Sequence, residues 1–206
     1  MVDSIQRTEK RRAVLLAGGY LRDSRAKTAH CMLRYRPEEV VAVLDETDAG
    51  ATCGEVLGFG GPIPIVASLE DIIAPEVRTN GENASATHNP AADRPNCLII
   101  GIAPPGGHLP DAWRPMLFRA IALGMDIVSG LHLMLNDDQE LVRAAREQAV
   151  KLVDLRDPGE QDVAEWVALS DHCFRVHTIG TDCNVGKMTA AMELTLALRE
   201  MKVDAE

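Results

Sequence analysis

Residues 175–189 read RVHTIGTDCNVGKMT. The first five, Arg175 to Ile179, alternate in the manner of a β-strand, and Met188 to Met201 carries a helical pattern. Between them Gly180–Lys187 (GTDCNVGK) is close to the pattern GxxxxGK, with five residues rather than four between its two glycines. A strand, a glycine-bounded loop ending in lysine, and a helix form a phosphate cradle. Glycine lets the backbone wrap an anion without Cβ clashes. Successive N–H groups and the helix N-terminus supply positive potential, and Lys187 neutralises phosphate charge. The predicted phosphate-binding residues are Gly180, Thr181, Asp182, Cys183, Asn184, Val185, Gly186, Lys187, Met188 and Thr189. A second departure follows the lysine. The hydroxyl that ordinarily follows the lysine and holds Mg²⁺ is replaced by Met188, so Thr189 is only a substitute.

Upstream, short apolar runs alternate with helical segments. Predicted strands are Ala13–Ala17 (AVLLA), Val40–Leu44 (VVAVL), Ile63–Val66, Cys97–Ile100 (CLII), Ile127 with Val128, and Leu152–Leu155. Helical spacing covers Ser24–Tyr35, with Ala26, Ala29, Met32 and Leu33 on one face, and Pro37 ends it. Ser68 caps a short helix through Ile73, Asp111 caps a helix ended by Gly124, and Asn136 or Asp137 caps one through Val150. Gly50–Pro64 reads as loop, and 79–96 as a polar surface insertion. This alternation predicts an α/β fold with a doubly wound parallel Rossmann-like sheet over residues 10–157. A linker at 158–174, with a short helix from about Asp162 to Leu169, leads to a P-loop domain beginning at residue 175.

Composition agrees. Of the 206 residues, 46% are hydrophobic but only 3% aromatic, so the core rests on aliphatic side chains, as buried parallel strands require. The net charge of −10 argues against nucleic acid or an acidic membrane as partner. The five cysteines lack CxxC spacing and read as reduced thiols. Cys173, His172 and His177 do not converge on a metal, because strand neighbours point to opposite faces. The N-terminal segment lacks a signal-peptide pattern and no run is long enough to span a membrane. A cytoplasmic homo-oligomer acting on a small molecule is expected.

Two loops follow predicted strands, where open α/β sheets bind ligands. Gly106 and Gly107 offer backbone N–H groups, and His108 adjoins them. Gly130 and His132 follow the fifth strand. His132 and His108 are the candidate catalytic groups, and Arg22 or Arg25 is a candidate clamp for a carboxylate. The first strand ends in Gly18-Gly19-Tyr20 rather than GxGxxG. With Asp45 after the second strand, a nicotinamide cofactor remains a weak reading.

The strings GIAPPGG (101–107), GMDIVSGLH (124–132) and IGTDCNVGKMT (179–189), in this order, resemble the DgcN-like family. The resemblance runs from about Arg12 onward, and Met188 after the lysine is itself family-like. It implies an N-terminal Rossmann-like domain, a C-terminal P-loop domain, and D-glutamate N-acetyltransferase activity with acetyl-CoA in D-glutamate breakdown. It also implies well over a hundred further residues, so the reading expects a C-terminally truncated chain with an incomplete P-loop domain. GTDxxxGK also looks like the loop of dethiobiotin synthetase, which leaves ATP with Mg²⁺ and kinase or ligase chemistry as one alternative. A non-catalytic fragment is another. The residues alone do not assign the phosphate ligand or the base.

Overall fold

The computed structural model describes residues 10–73, 94–104, 107, 109–157, 173–182 and 185–205. The chain divides into two compact units, Met1–Glu160 and Gln161–Glu206.

The first unit is built on six strands: β1 (Ala13–Leu16), β2 (Val40–Leu44), β3 (Ile65–Val66), β4 (Cys97–Ile100), β5 (Asp126–Ser129) and β6 (Leu152–Asp154). Every pairing is parallel and the order is β3-β2-β1-β4-β5-β6. That is the doubly wound Rossmann-like order, with its direction of winding reversing between β1 and β4. The cause is visible in the strands. AVLL and CLII carry no polar side chain, and every one of those side chains is buried. A strand with two apolar faces needs a helix on each face, and crossover helices provide them.

Those helices are α1 (Lys27–Tyr35), α2 (Cys53–Leu57), α3 (Glu70–Ile73), α4 (Arg114–Ala122) and α5 (Gln139–Glu147). From α1, Ala29 and Leu33 enter the core, joined by Ala26 of the preceding 3₁₀ turn. Leu117, Ala120 and Ile121 do so from α4, and Leu141 and Ala145 from α5. The three-to-four-residue spacing puts each set on one stripe.

Several local expectations are corrected. The stretch expected as loop from Gly50 to Pro64 contains α2. Thr52 and Glu55 form a capping box, and Gly58 closes the helix at φ +76°. Asp111 does not cap the following helix. It opens a 3₁₀ turn over Asp111–Trp113 whose entry has no side-chain cap. The cap of α5 is Asp138, not Asn136 or Asp137, with its carboxylate accepting from the N–H groups of Glu140 and Leu141. β3 is two residues long, shorter than the four expected. Ser68 does exchange hydrogen bonds with Asp71 ahead of α3, as a cap should. Most of the insertion at 79–96 and the helix expected near 162–169 lie outside the described residues.

In the second unit, α6 (Lys187–Glu200) follows the loop. The expected strand Arg175–Ile179 is not formed. A strand exists only through a ladder to a neighbour, and among the described residues of this unit no such neighbour is present. Ala191, Thr195 and Leu198 are half-buried, whereas Leu194, which helical spacing sets beside them, is exposed. Among the described residues no helix is long and apolar enough to cross a membrane.

Candidate functional sites

The loop ahead of α6 has the features a phosphate cradle requires. Gly180 faces its own far end. A Cβ there would lie 2.6 Å from Val185 Cγ2 and 3.1 Å from Lys187 Cδ. A side chain at 180 would force Val185 and Lys187 to shift. Gly186 turns the chain into the helix at φ +90°, a conformation glycine adopts without strain. No side chain caps α6, so the first-turn N–H groups point outward without an intrahelical acceptor. Together with the helix dipole they favour an anion.

Lys187 is folded over the loop, and its Nζ donates to the Asp182 carbonyl at 2.6 Å. An incoming phosphate oxygen would take over that donor. Met188 is 63% exposed, and Thr181 and Thr189 are exposed as well. Cys183 and Asn184 lie outside the described residues.

The second candidate site lies in the first unit, at the carboxyl ends of β1 and β4, where the winding reverses. A cleft of about 440 Å³ opens there. Tyr20, Arg25 and Asp111 give it polar groups, while Ile102, Leu109 and Pro110 give it apolar wall. Arg25 is held on two sides. Its guanidinium lies 4.2 Å over the Tyr20 ring, and its Nε and Nη2 donate to the two oxygens of Asp23 at 2.9 and 3.0 Å. The bond to Arg25 lowers the Asp23 carboxyl to about 2. In turn Asp23 raises the Arg25 pKa above its ordinary value.

The glycines after β1 serve the protein's own packing. A Cβ on Gly18, which sits at φ +53°, would lie 2.1 Å from the Trp113 ring. Trp113 thus packs directly on this turn. Asp45 is equally committed. It is fully buried, with Oδ2 accepting from Gly19 and Leu21 N–H at 2.9 and 3.0 Å and Oδ1 from Thr47 N–H at 3.0 Å. A fully buried carboxylate that already accepts three backbone N–H groups is not presented to a ribose in this structure. The nicotinamide reading therefore has no support at this end of the sheet.

The other expected site residues divide. Arg22 is tied to Asp48 through its Nε and Nη2, with the shortest contact 2.7 Å, and does not line the cleft. Gly107 and His132 come together: a Cβ at 107 would lie 2.6 Å from His132 Cδ2. The loops after β4 and β5 are thus in contact, with the Leu133 N–H directed at the Gly107 carbonyl at 3.4 Å. His132 is exposed. The carbonyl of Gly130 accepts from Arg156 Nε at 2.7 Å. Gly106 and His108 lie outside the described residues. Sequence reading missed Tyr20 and Asp111 as cleft residues, because the reversal point is defined by strand order, which no local signal encodes.

Comparison with known proteins follows the same two-part division. Residues 46–158 match a family described as a domain of unknown function, DUF1611_N, Rossmann-like domain. Residues 163–206 match its companion P-loop domain. A D-glutamate N-acetyltransferase from a Pseudoalteromonas species is 37% identical over 109 residues, 53% of this chain and 32% of that protein. One from Tritonibacter scottomollicae is 37% identical over 98 residues, 47% of this chain and 29% of that protein. The chain thus spans about a third of the length of the curated relatives it matches. A crystal structure of a DUF1611 family protein from Anabaena variabilis aligns over 93% of this chain and 50% of its own, with 32% identity and a TM-score of 0.74. With a Rossmann-like first unit and a P-loop segment after it, the chain belongs to the DUF1611 family, whose relatives above identify it as DgcN-like.

Proposed function

We propose that this chain is part of an N-acetyltransferase that moves an acetyl group from acetyl-CoA to the amine of D-glutamate, its P-loop holding a phosphate of coenzyme A. The observation that carries the reading is the 37% identity to two proteins named D-glutamate N-acetyltransferase. The loop geometry supports it, since the Gly180–Gly186 turn, the uncapped α6 and Lys187 suit a phosphate.

The chemistry asks little of the loop beyond grip. The neutral amine attacks the thioester carbonyl carbon, the tetrahedral intermediate collapses, and the C–S bond breaks. A base accepts the ammonium proton and the coenzyme leaves as thiolate, which takes up a proton. A held phosphate fixes the thioester's position and supplies the entropic part of the acceleration. His132 is the candidate base by chemistry and exposure.

The second reading is ATP–Mg²⁺ with phosphoryl transfer, which the likeness of GTDxxxGK to the dethiobiotin synthetase loop favours. Against it stands Met188, which puts a thioether where a magnesium-binding hydroxyl is usual. Calorimetric titration of the chain with acetyl-CoA and separately with ATP–Mg²⁺ decides between them. Saturable binding of acetyl-CoA and little of ATP–Mg²⁺ is expected, and the reverse order refutes the transferase reading.

A further inference from the structure

The cleft between β1 and β4 is not explained by the P-loop. Its ligand class follows from its charges. A dinucleotide is disfavoured because Trp113 fills the space over Gly18 and Asp45 is consumed by backbone donors. A polyphosphate is disfavoured too. Arg25 is already paired with Asp23, and Asp111 adds a further negative charge to the rim, so Arg25, Asp111 and the adjoining Asp23 together sum to about −1. Asp111 has no ion-pair partner among the described residues.

Arg25 nevertheless keeps binding capacity. A guanidinium has five N–H donors, and Asp23 engages Nε and one position on Nη2. The Tyr20 hydroxyl also lies close to the guanidinium, and the donors that neither it nor Asp23 engages remain for a second acceptor. The guanidinium's orientation is fixed in advance by Asp23 on one side and the Tyr20 ring on the other. That restraint cuts the ordering cost of binding. Ile102, Leu109 and Pro110 supply apolar contact for a short carbon chain. A volume of about 440 Å³ is at the small-molecule end of the range for ligand pockets.

We propose that this cleft binds a small amino-acid-like zwitterion, its carboxylate on Arg25 and its ammonium on Asp111, with Tyr20 as platform. The site stands on the first unit alone. Only the identification of its occupant with the acyl acceptor rests on the transferase reading.

The test is a titration of the whole chain, by calorimetry or by amide chemical-shift changes, with D-glutamate, L-glutamate, glycine, glutarate and 1,5-diaminopentane. At least one of the three amino acids should bind, and both glutarate and the diamine should bind more weakly. Removing one charged partner should weaken the best amino acid about tenfold or more, in Arg25→Gln and in Asp111→Asn alike. Thermal melting of both variants checks that they fold, and both positions are surface-accessible. Three results overturn the proposal. One is no binding of any amino acid at millimolar concentration. Another is glutarate or the diamine binding as tightly as the amino acid. The third is affinity unchanged in both variants. Acetyl-CoA is titrated in parallel. If it binds while no amino acid does, the cleft proposal fails and the transferase reading survives. If only the amino acid binds, the transferase reading fails and the cleft stands.

Discussion

Replacing Asp45 by asparagine separates the two roles that an acidic residue after β2 can have. In this structure the carboxylate is fully buried and accepts three backbone N–H groups, from Gly19, Leu21 and Thr47. Asparagine keeps one acceptor oxygen. Whichever way the amide turns, its NH₂ faces at least one N–H donor, and the remaining bonds lose their charge assistance. A hydrogen bond to a charged acceptor contributes roughly 1.5–3 kcal/mol, and an unsatisfied buried donor costs about 1–3 kcal/mol. A loss of about 3 kcal/mol is therefore expected. That is a large part of the roughly 5–15 kcal/mol available to a domain. With a urea m-value of about 2 kcal/mol/M, the unfolding midpoint should fall by about 1.5 M at unchanged slope. Urea titration of wild type and Asp45→Asn, followed by far-UV circular dichroism, measures this. A midpoint shift equivalent to less than about 0.5 kcal/mol would refute the reasoning. NADH binding by the wild type, lost in the variant, would refute it as well, by returning Asp45 to a ribose.

Two further perturbations follow from the same geometry. Gly18→Ala puts a Cβ 2.1 Å from the Trp113 ring at φ +53°, so it should destabilise by roughly 2–4 kcal/mol through overpacking and left-handed strain. In a Trp113→Leu background, thermal or urea unfolding should show that cost reduced; an undiminished cost would leave backbone strain as its only source. Asp138 is held down from 3.8 to about 2, chiefly by its hydrogen bond to Arg114. A depressed carboxyl contributes stability above its unfolded value, and that contribution is lost as pH falls from about 4 toward about 2. The stability difference between wild type and Asp138→Asn should therefore be present at pH 6 and shrink across that window. A difference independent of pH would contradict the pairing.

Sequence carried the fold where physics is local. AVLLA, VVAVL and CLII are legible as strands because a parallel strand buried on both faces must be aliphatic throughout. The loop at Gly180–Lys187 is legible because a phosphate cradle would require glycine and lysine at its ends. α2 was missed although its signals stand in the chain, Thr52 three residues before Glu55 and Gly58 at the end. The surrounding glycines and prolines outweighed a five-residue helix. The strand expected at Arg175–Ile179 shows the opposite failure: alternation gives a segment the capacity for a ladder, but the ladder needs a neighbour. Long-range pairings were invisible. Nothing near Arg22 announces Asp48, and nothing near Gly107 announces His132. The cleft was half-legible: Arg25 was named, but Tyr20 and Asp111 join it only through the strand order.

The central claim, that the loop before α6 grips a phosphate of coenzyme A, is tested most directly by comparing acetyl-CoA with phosphate-free S-acetylpantetheine. Calorimetry on the wild-type chain should show acetyl-CoA preferred by tenfold or more, as charge-assisted bonds of roughly 1.5–3 kcal/mol imply. In Lys187→Ala that preference should largely disappear, while Asp45 and the first unit are untouched. Equal affinity for the two thioesters, or an undiminished preference in Lys187→Ala, would contradict the account.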